Sequence, residues 1–463
     1  MVGIPTLCLT REGFEGIVAN AFSGMGFPAE APMGYVFPSI MFISESDLTP
    51  LSEHMDEFLS GLTDWEPERK TTGLLEPEII TITGRDYYDA ALKVNHFFQR
   101  NLWRDSLWIV PPTEDVVNWI LTGTDMDPKA KLGTAWPRGG IVTVHAVAVA
   151  LAMAGGRPEY LPFAIAATAA MVDPRAGMQS WNSTTCSVFP AFIVNGPDAK
   201  NIRLGSGYGM LGPDPSHPAG QILGRTIRII QMNIGGTIPG VGTMSIFGAC
   251  RQTNAFFAEY EEGLPEGWTT YAEDRGWKRN QNVVTITFVN SMVNVLWGYG
   301  GETANNQAIR CMAGNMKAPN WNRLAGMITG DGDFSVPDLP SGISIWPHTV
   351  LAALVRDNGY TKSQLKELLY EDAREPYEDI VAWGGEMMLK EAKIWHPGDN
   401  CGLCTRPDQL TIVCGGGDHG GHGFWMAPAI FGLVTSGEVQ LPKNWDDLLL
   451  DAEIDLGALP SAH

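Results

Sequence analysis

Apolar positions along this chain fall into two periods, and each predicts a different element. Short unbroken apolar runs flanked by glycine, proline or asparagine read as buried strands. "GIPTLCL" (3–9), "CSVFPAFIVNGP" (186–197), "NVVTITFVN" (282–290) and "QLTIVC" (409–414) are of this kind, and Ile79 to Thr83 forms a further β-rich run. Segments with a spacing of three to four read as helices. The first is "TREGFEGIVANAFSGMG" (10–26), with Thr10 as its expected cap and a glycine stop. The second is "LTPLSEHMDEFLSGLT" (48–63), with Thr49 expected as cap and Pro50 at the first helical position.

Further helices are predicted after Thr113, over 139–154 and 158–171 on either side of "AGGRPEYLP", and over "HPAGQILGRTIRIIQMNIGG" (217–236). The last predicted helix, "YTKSQLKELLYEDAREP" (360–376), begins with Thr361 and Gln364 in capping-box spacing. Strands and helices alternate, so the expected class is α/β. The first strand–helix–strand–helix stretch, residues 1–63, is too short for a complete doubly wound domain and reads as a small, incomplete Rossmann-like unit. Residues 64–105 read as linker and insertion. Residues 106–463 read as a large α/β domain with long glycine-rich loops, the places where a site is built.

The chain has 463 residues, 44% of them hydrophobic, which is globular composition with a large core. Its formal net charge of −21 leaves no basic stripe to neutralise phosphates, so nucleic acid is not an expected partner. The longest apolar run, "IVTVHAVAVALAMAGG", is too short to span a bilayer, and the N-terminus has no basic n-region. Seven cysteines without a secretory signal fit a reducing, cytoplasmic setting.

Chemistry concentrates in "CGLCTRPDQLTIVCGGGDHGGHGFW" (401–425). Cys401 and Cys404 have the spacing of a disulfide pair or of two ligands to one soft metal. His419 and His422, three apart on a glycine-rich loop, allow two imidazoles to converge on one cation, and Cys414 offers another thiolate. The expected metal site is therefore Cys401, Cys404, Cys414, His419 and His422, holding copper, iron or zinc. The alternatives are separate buried thiols beside exposed histidines, or an anion cradle of backbone N–H groups in "TIVCGGGDHGGHG". Three residues elsewhere are candidate catalytic groups. Cys186 sits at the entry of a buried strand. His217 lies in the long small-residue loop "GSGYGMLGPDPSHPAGQ". Glu259 follows the apolar "AFF" and is the carboxylate chosen from the acidic clusters. For each the plain alternative is structural: a core thiol, a loop histidine, a solvated carboxylate.

"GIPTLCLTREGFEGIVANAFSGMGFP" followed by "DLTPLSEHMDEFLSGLT" resembles the second half of the UGSC-like domain, named for a selenocysteine/cysteine-Gly-Ser-Cys motif. "MAGGRPEYLPFAIAATAAM", "FIVNGP", "GSGYGMLGP", "GRTIRIIQMNIGG" and "FFAEYEE" resemble the large domain often fused behind it. The resemblance implies thiol or selenol chemistry and names no substrate. It also implies a histidine where this chain has Cys186, and no Cys401/Cys404 pair. The motif-bearing first half is absent and no Cys-Gly-Ser-Cys occurs. That departure implies a second subunit carrying the missing half.

The expected function is a subunit of a hetero-oligomeric enzyme using a soft metal or reactive thiols on a small organic substrate, in a redox reaction. One alternative is a non-redox lyase, hydratase or hydrolase with structural zinc. The other is a non-catalytic subunit supporting a partner's active site.

Overall fold

The computed structural model describes residues 7–27, 33–38, 46–64, 79–248, 253–298, 301–317, 340–386, 389–390, 394–418, 421–429 and 432–459. The chain is α/β. Its first strands, β1 (Cys8–Arg11) and β2 (Met33–Phe37), pair in parallel on either side of the helix Glu15–Gly24. Among the described residues this small sheet has only these two strands. Thr10 lies inside β1 and caps nothing; the helix begins five residues later. Thr49 is already helical, and Asp47 takes the capping role by accepting the Thr49 N–H at 2.9 Å. A carboxylate accepts that orphan N–H better than a hydroxyl one position too late. The segment splits at His54 into Thr49–Glu53 and Met55–Thr63.

Residues 79–84 form no strand: Ile79 and Ile80 are exposed and find no pairing partner among the described residues. The helix that follows, Tyr87–Arg100, packs on the body of the protein. Its buried Asn95 bonds both the N–H and the C=O of Ile109, and Asp105 pairs with Arg225. The helix expected from 139 begins instead at Val144, because a hairpin of β3 (Lys131–Ala135) and β4 (Gly140–Thr143) comes first. Thr143 then caps that helix, as Thr113 caps the helix Glu114–Leu121 and Thr361 the helix Lys362–Asp372.

One mixed sheet organises the rest. Its strands are β5 (Phe189–Asn195), β6 (Ala255–Ala258), β7 (Val283–Leu296) and β8 (Ile343–Trp346), then, after the short antiparallel pair β9 (Glu375–Pro376) and β10 (Asn400–Cys401), β11 (Thr411–Cys414), β12 (His422–Pro428) and β13 (Thr435–Glu438). The order is β11-β8-β12-β7-β5-β6, with β13 beside the first half of β7. The sheet curls until its two edges meet just beyond their last residues. There the Tyr260 N–H donates to the Cys414 carbonyl at 2.8 Å.

Strand alternation then sorts the side chains. Phe189, Ala191, Ile193, Ala255, Phe257, Ile343, Ile345, Val413 and Met426 share one apolar cluster on the concave side. The intervening Phe192, Val194, Phe256 and Ala258 pack under the helices Val144–Met153, Leu161–Val172 and Ala219–Asn233. On the other flank Trp346, Ile412, Cys414 and Trp425 pack under the helices Gly301–Met316, His348–Asn358 and Lys362–Asp372. Both faces are covered, which is why these strands read as unbroken apolar runs. Among the described residues no helix is long and apolar enough to cross a membrane.

Close approach of Ala219–Asn233 to β6 depends on two glycines. A Cβ at Gly220 would stand 2.6 Å from the Phe256 carbonyl oxygen, and one at Gly224 would overlap the backbone of Asn254. Backbone cannot swing aside as a side chain can. Gly224→Val is therefore expected to lower the unfolding free energy by about 1–3 kcal/mol, read as a lower midpoint in urea titration with unchanged slope.

Candidate functional site

Where the sheet edges meet, two glycine-rich segments close over its concave side. Residues 415–418 leave the end of β11, and residues 205–217 run between β5 and the helix Ala219–Asn233. The Gly415 N–H donates to the Trp346 carbonyl (2.9 Å), the Gly416 N–H to that of Ser206 (2.8 Å), and the Ala258 N–H to that of Gly205 (3.0 Å). A Cβ at Gly415 would stand 2.9 Å from Met210 Sδ, and one at Gly417 would overlap the Tyr208 ring. Glycine is needed here for proximity: the two loops touch backbone to side chain. Between them lies a cavity of about 270 Å³, lined by Tyr208, Met210, Ile345, Gly417, His422 and Phe424 among others. Its walls are mostly apolar, as expected of a small-molecule pocket.

Polar groups stand at its rim. His217 Nδ1 lies 2.7 Å from Asp214 Oδ2, and Asp214 also accepts the Ser216 N–H at 2.9 Å. The hydrogen bond with His217, helped by the Ser216 N–H, holds the Asp214 carboxyl below the usual range. The Asp214 Cβ is 3.6 Å from where a Cβ of Gly209, a lining residue, would lie. Elsewhere beside the lining, His348 Nδ1 is 2.6 Å from Asp418 Oδ1, close but without hydrogen-bond geometry. His348 follows the lining residue Pro347, and Asp418 follows Gly417. The Tyr260 ring meets His348 edge-on at 5.6 Å. Burial, with the nearby carboxylates of Glu262 and Asp418, pushes the Tyr260 phenol up. His422 lies in the cavity wall with Nδ1 3.5 Å from Asn294 Nδ2.

Glu259 is buried behind the seam. Its Oε2 accepts from Asn195 Nδ2 and from the Tyr271 N–H, both at 2.7 Å, and its Oε1 lies 3.4 Å from the Cys414 N. Burial raises its pKa; Lys362 and the two Oε2 donors pull the other way and do not offset it. It also borders a polar cavity of about 310 Å³ shared with Lys200, Glu261, Glu262 and Arg279, on the other side of Ser206.

The remaining sequence candidates are dispersed. Cys401 packs with Ile380 and Leu389, while Cys404 packs in a different apolar cluster, with its Sγ 3.1 Å from the Arg406 carbonyl. Cys414 is wholly buried, and burial next to Glu259 pushes its thiol up, away from the thiolate form. His419 lies outside the described residues. Among the described residues no three His, Cys, Asp or Glu side chains gather in a metal-ligating group. Cys186 is half-buried on the wall of a separate cavity of about 180 Å³, beside Arg228.

His348 escaped the reading of the sequence. Its signal is "SIWPH", a buried strand ended by proline with a histidine at the first helical position. That places an imidazole at a strand end, but its partner Asp418 is seventy residues away in the chain.

A buried carboxyl with a raised pKa binds its proton more tightly folded than unfolded. Ionising it costs stability, so that part of the stability falls as pH rises above the ordinary glutamate value of 4.5 and levels off above the folded-state pKa. Glu259→Gln is expected to remove this downward slope. Urea titrations of both proteins across pH 4–8 check it; parallel pH profiles would contradict it. No family model, curated protein or solved structure matches this chain.

Proposed function

We propose that this chain is an enzyme, or the catalytic subunit of one, that binds a small and largely apolar molecule between the two glycine-rich loops and moves protons on it. The observation that carries this reading is the pair of histidine–aspartate contacts at the cavity rim, His217–Asp214 and His348–Asp418. The Asp214 hydrogen bond on His217 Nδ1 orients that ring and leaves its Nε2 to take or give a proton, while Asp418 stands against His348 Nδ1 as a close charge contact without hydrogen-bond geometry. Two imidazoles beside carboxylates, one on the loop 205–217 and one opening the helix His348–Asn358, suit one as base and one as acid. Tyr260, held against His348, limits how that ring can turn.

This favours the non-redox lyase, hydratase or hydrolase class over thiol or metal redox chemistry at the mouth. Cys404 and Cys414 are buried away from the cavity walls, and Cys414 is held as the thiol, whereas nucleophile and ligand alike require the thiolate. The idea of a second subunit has separate support. Met55, Leu59 and Leu62 are spaced as one stripe along the helix Met55–Thr63, and all three are exposed.

Incubation of the purified protein with a cell metabolite extract, followed by mass spectrometry, tests the enzymatic reading. A compound is expected to be consumed by the wild type and at least about 100-fold more slowly by His217→Asn and by His348→Asn. Full turnover by both variants, or no compound changed by any of the three proteins, would overturn it. Affinity purification from the native host is expected to recover a second chain, whose loss in Leu59→Glu would locate the contact; recovery of this chain alone would overturn the subunit proposal.

A further inference from the structure

The cavity that holds Cys186 is remote in composition from the mouth just described. It lies between the helix Ala219–Asn233, the segment 181–188 that leads into β5, and the loop 237–245. Asp105, Asn182, Cys186, Arg228, Thr237, Thr243 and Ser245 supply its polar lining.

Arg228 is its central feature. The side chain is half-buried, and the protein around it lowers the guanidinium pKa to about 10, only partly offset by the charge of Asp105. At 10 it is still a cation at neutral pH. Among the described residues its one hydrogen bond is from Nη2 to Asn254 Oδ1, at 3.0 Å. A guanidinium has five N–H donors. Asp105, the negative group beside it, has both carboxylate oxygens engaged by Arg225, at 2.8 and 2.9 Å. Arg228 thus has no ion pair of its own among the described residues and lines the cavity as a half-buried cation.

Asn254 is itself locked. Its Nδ2 donates to Gln231 Oε1 (3.0 Å), Gln231 Nε2 donates to Asn182 Oδ1 (3.0 Å), and Asn182 Nδ2 donates to the Trp136 carbonyl (2.5 Å). This chain of buried amides fixes the Arg228 head from behind and spends its own polar atoms doing so. What is left on the cavity side are hydroxyls that can donate to a ligand. Thr237 Oγ1 and Ser245 Oγ are both buried without a hydrogen-bond partner, and Thr237 is only 5% exposed. Leaving such hydroxyls unmatched costs about 1–3 kcal/mol each.

We infer that this cavity is a binding site for a small carboxylate, held by the Arg228 guanidinium and the Thr237 and Ser245 hydroxyls, with its carbon chain toward Met232, Val188 and the Cys186 thiol. The donor set is one cation and two hydroxyls against one occupied carboxylate, which complements a monoanion with two acceptor oxygens. A volume of about 180 Å³ compares with a cavity of roughly 150 Å³ that takes benzene, so the ligand has on the order of six to eight heavy atoms. Nothing in this inference depends on the histidine–aspartate reading of the mouth.

Cys186 makes the site testable on the whole chain without knowing its natural ligand. Iodoacetate and iodoacetamide alkylate a thiolate in the same displacement of iodide and differ only in the carboxylate. Site-resolved mass spectrometry gives the labelling rate at Cys186 for each. The ratio of the iodoacetate rate to the iodoacetamide rate is expected to be about tenfold or more higher in the wild type than in Arg228→Gln. Taking the ratio cancels any change in Cys186 ionisation. Millimolar propionate is expected to protect Cys186 where propionamide does not, and Thr237→Val to weaken that protection several-fold. Should Arg228→Gln fail to fold, the propionate and propionamide comparison in wild type and Thr237→Val decides. An equal ratio in wild type and Arg228→Gln overturns the inference, as does equal protection, or none, by the two additives.

Discussion

The hydrogen bond from the Tyr260 N–H to the Cys414 carbonyl, 2.8 Å across the seam of the curled sheet, is the constraint on which the site depends. Without it β6 and β11 would be the two far edges of a mixed sheet. With it, the segments leaving β6, β8 and β11 start from one place. Glu259, Tyr260, His348, Cys414 and the glycine turn are then neighbours, although they come from three distant parts of the chain. The buried carboxyl of Glu259 reinforces the seam from inside by accepting N–H groups from β5's last residue and from Tyr271, and by facing the Cys414 N. A carboxyl in that position is tolerated because its acceptors are filled and burial favours its neutral form.

Curling also divides the protein's apolar material into layers. One cluster fills the concave side, and helices cover the outer face on both flanks. The loops are squeezed where strands end and no helix covers the sheet. There, glycine at 415 and 417 is a packing requirement, set by Met210 and Tyr208. One loop carries His217 and Asp214 and the other Asp418, whose partner His348 opens the helix after β8. A rigid scaffold with polar groups on its loops is the usual way that folds present chemistry.

The Cys186 cavity follows a different logic. It sits against the helix Ala219–Asn233, held close to β6 by Gly220 and Gly224, with Arg228 and Gln231 bonding Asn254 further along and Arg225 bonding Asp105. Arg225 is satisfied by Asp105; Arg228 is held by neutral amides alone among the described residues. Two arginines three residues apart on one helix thus have opposite roles, one tying the segment at 105 to the body and the other left facing a cavity.

Local patterns in the sequence determined most of the elements. The apolar runs at 189–195, 283–289 and 411–414 are strands, and Thr113 and Thr361 cap helices, because strand burial and N-capping depend on residues close together in the chain. Glu259 and the two glycine-rich loops also stood out, as a carboxylate after an apolar strand and as small-residue connections too long to be simple turns. Ile79 to Thr83 shows the limit: β propensity without a partner strand makes no strand. Thr10 and Thr49 show another, since a cap is set by where the helix starts and both helices start elsewhere. Tertiary structure alone decided the curl of the sheet. With it came the meeting of β6 with β11 and the partners His348 and Asp418, and tertiary packing also placed Cys401 and Cys404 in different apolar clusters. The reason is physical: each of these depends on sheet order and loop closure between residues tens to hundreds of positions apart, and no periodicity along the chain encodes which distant edges will meet.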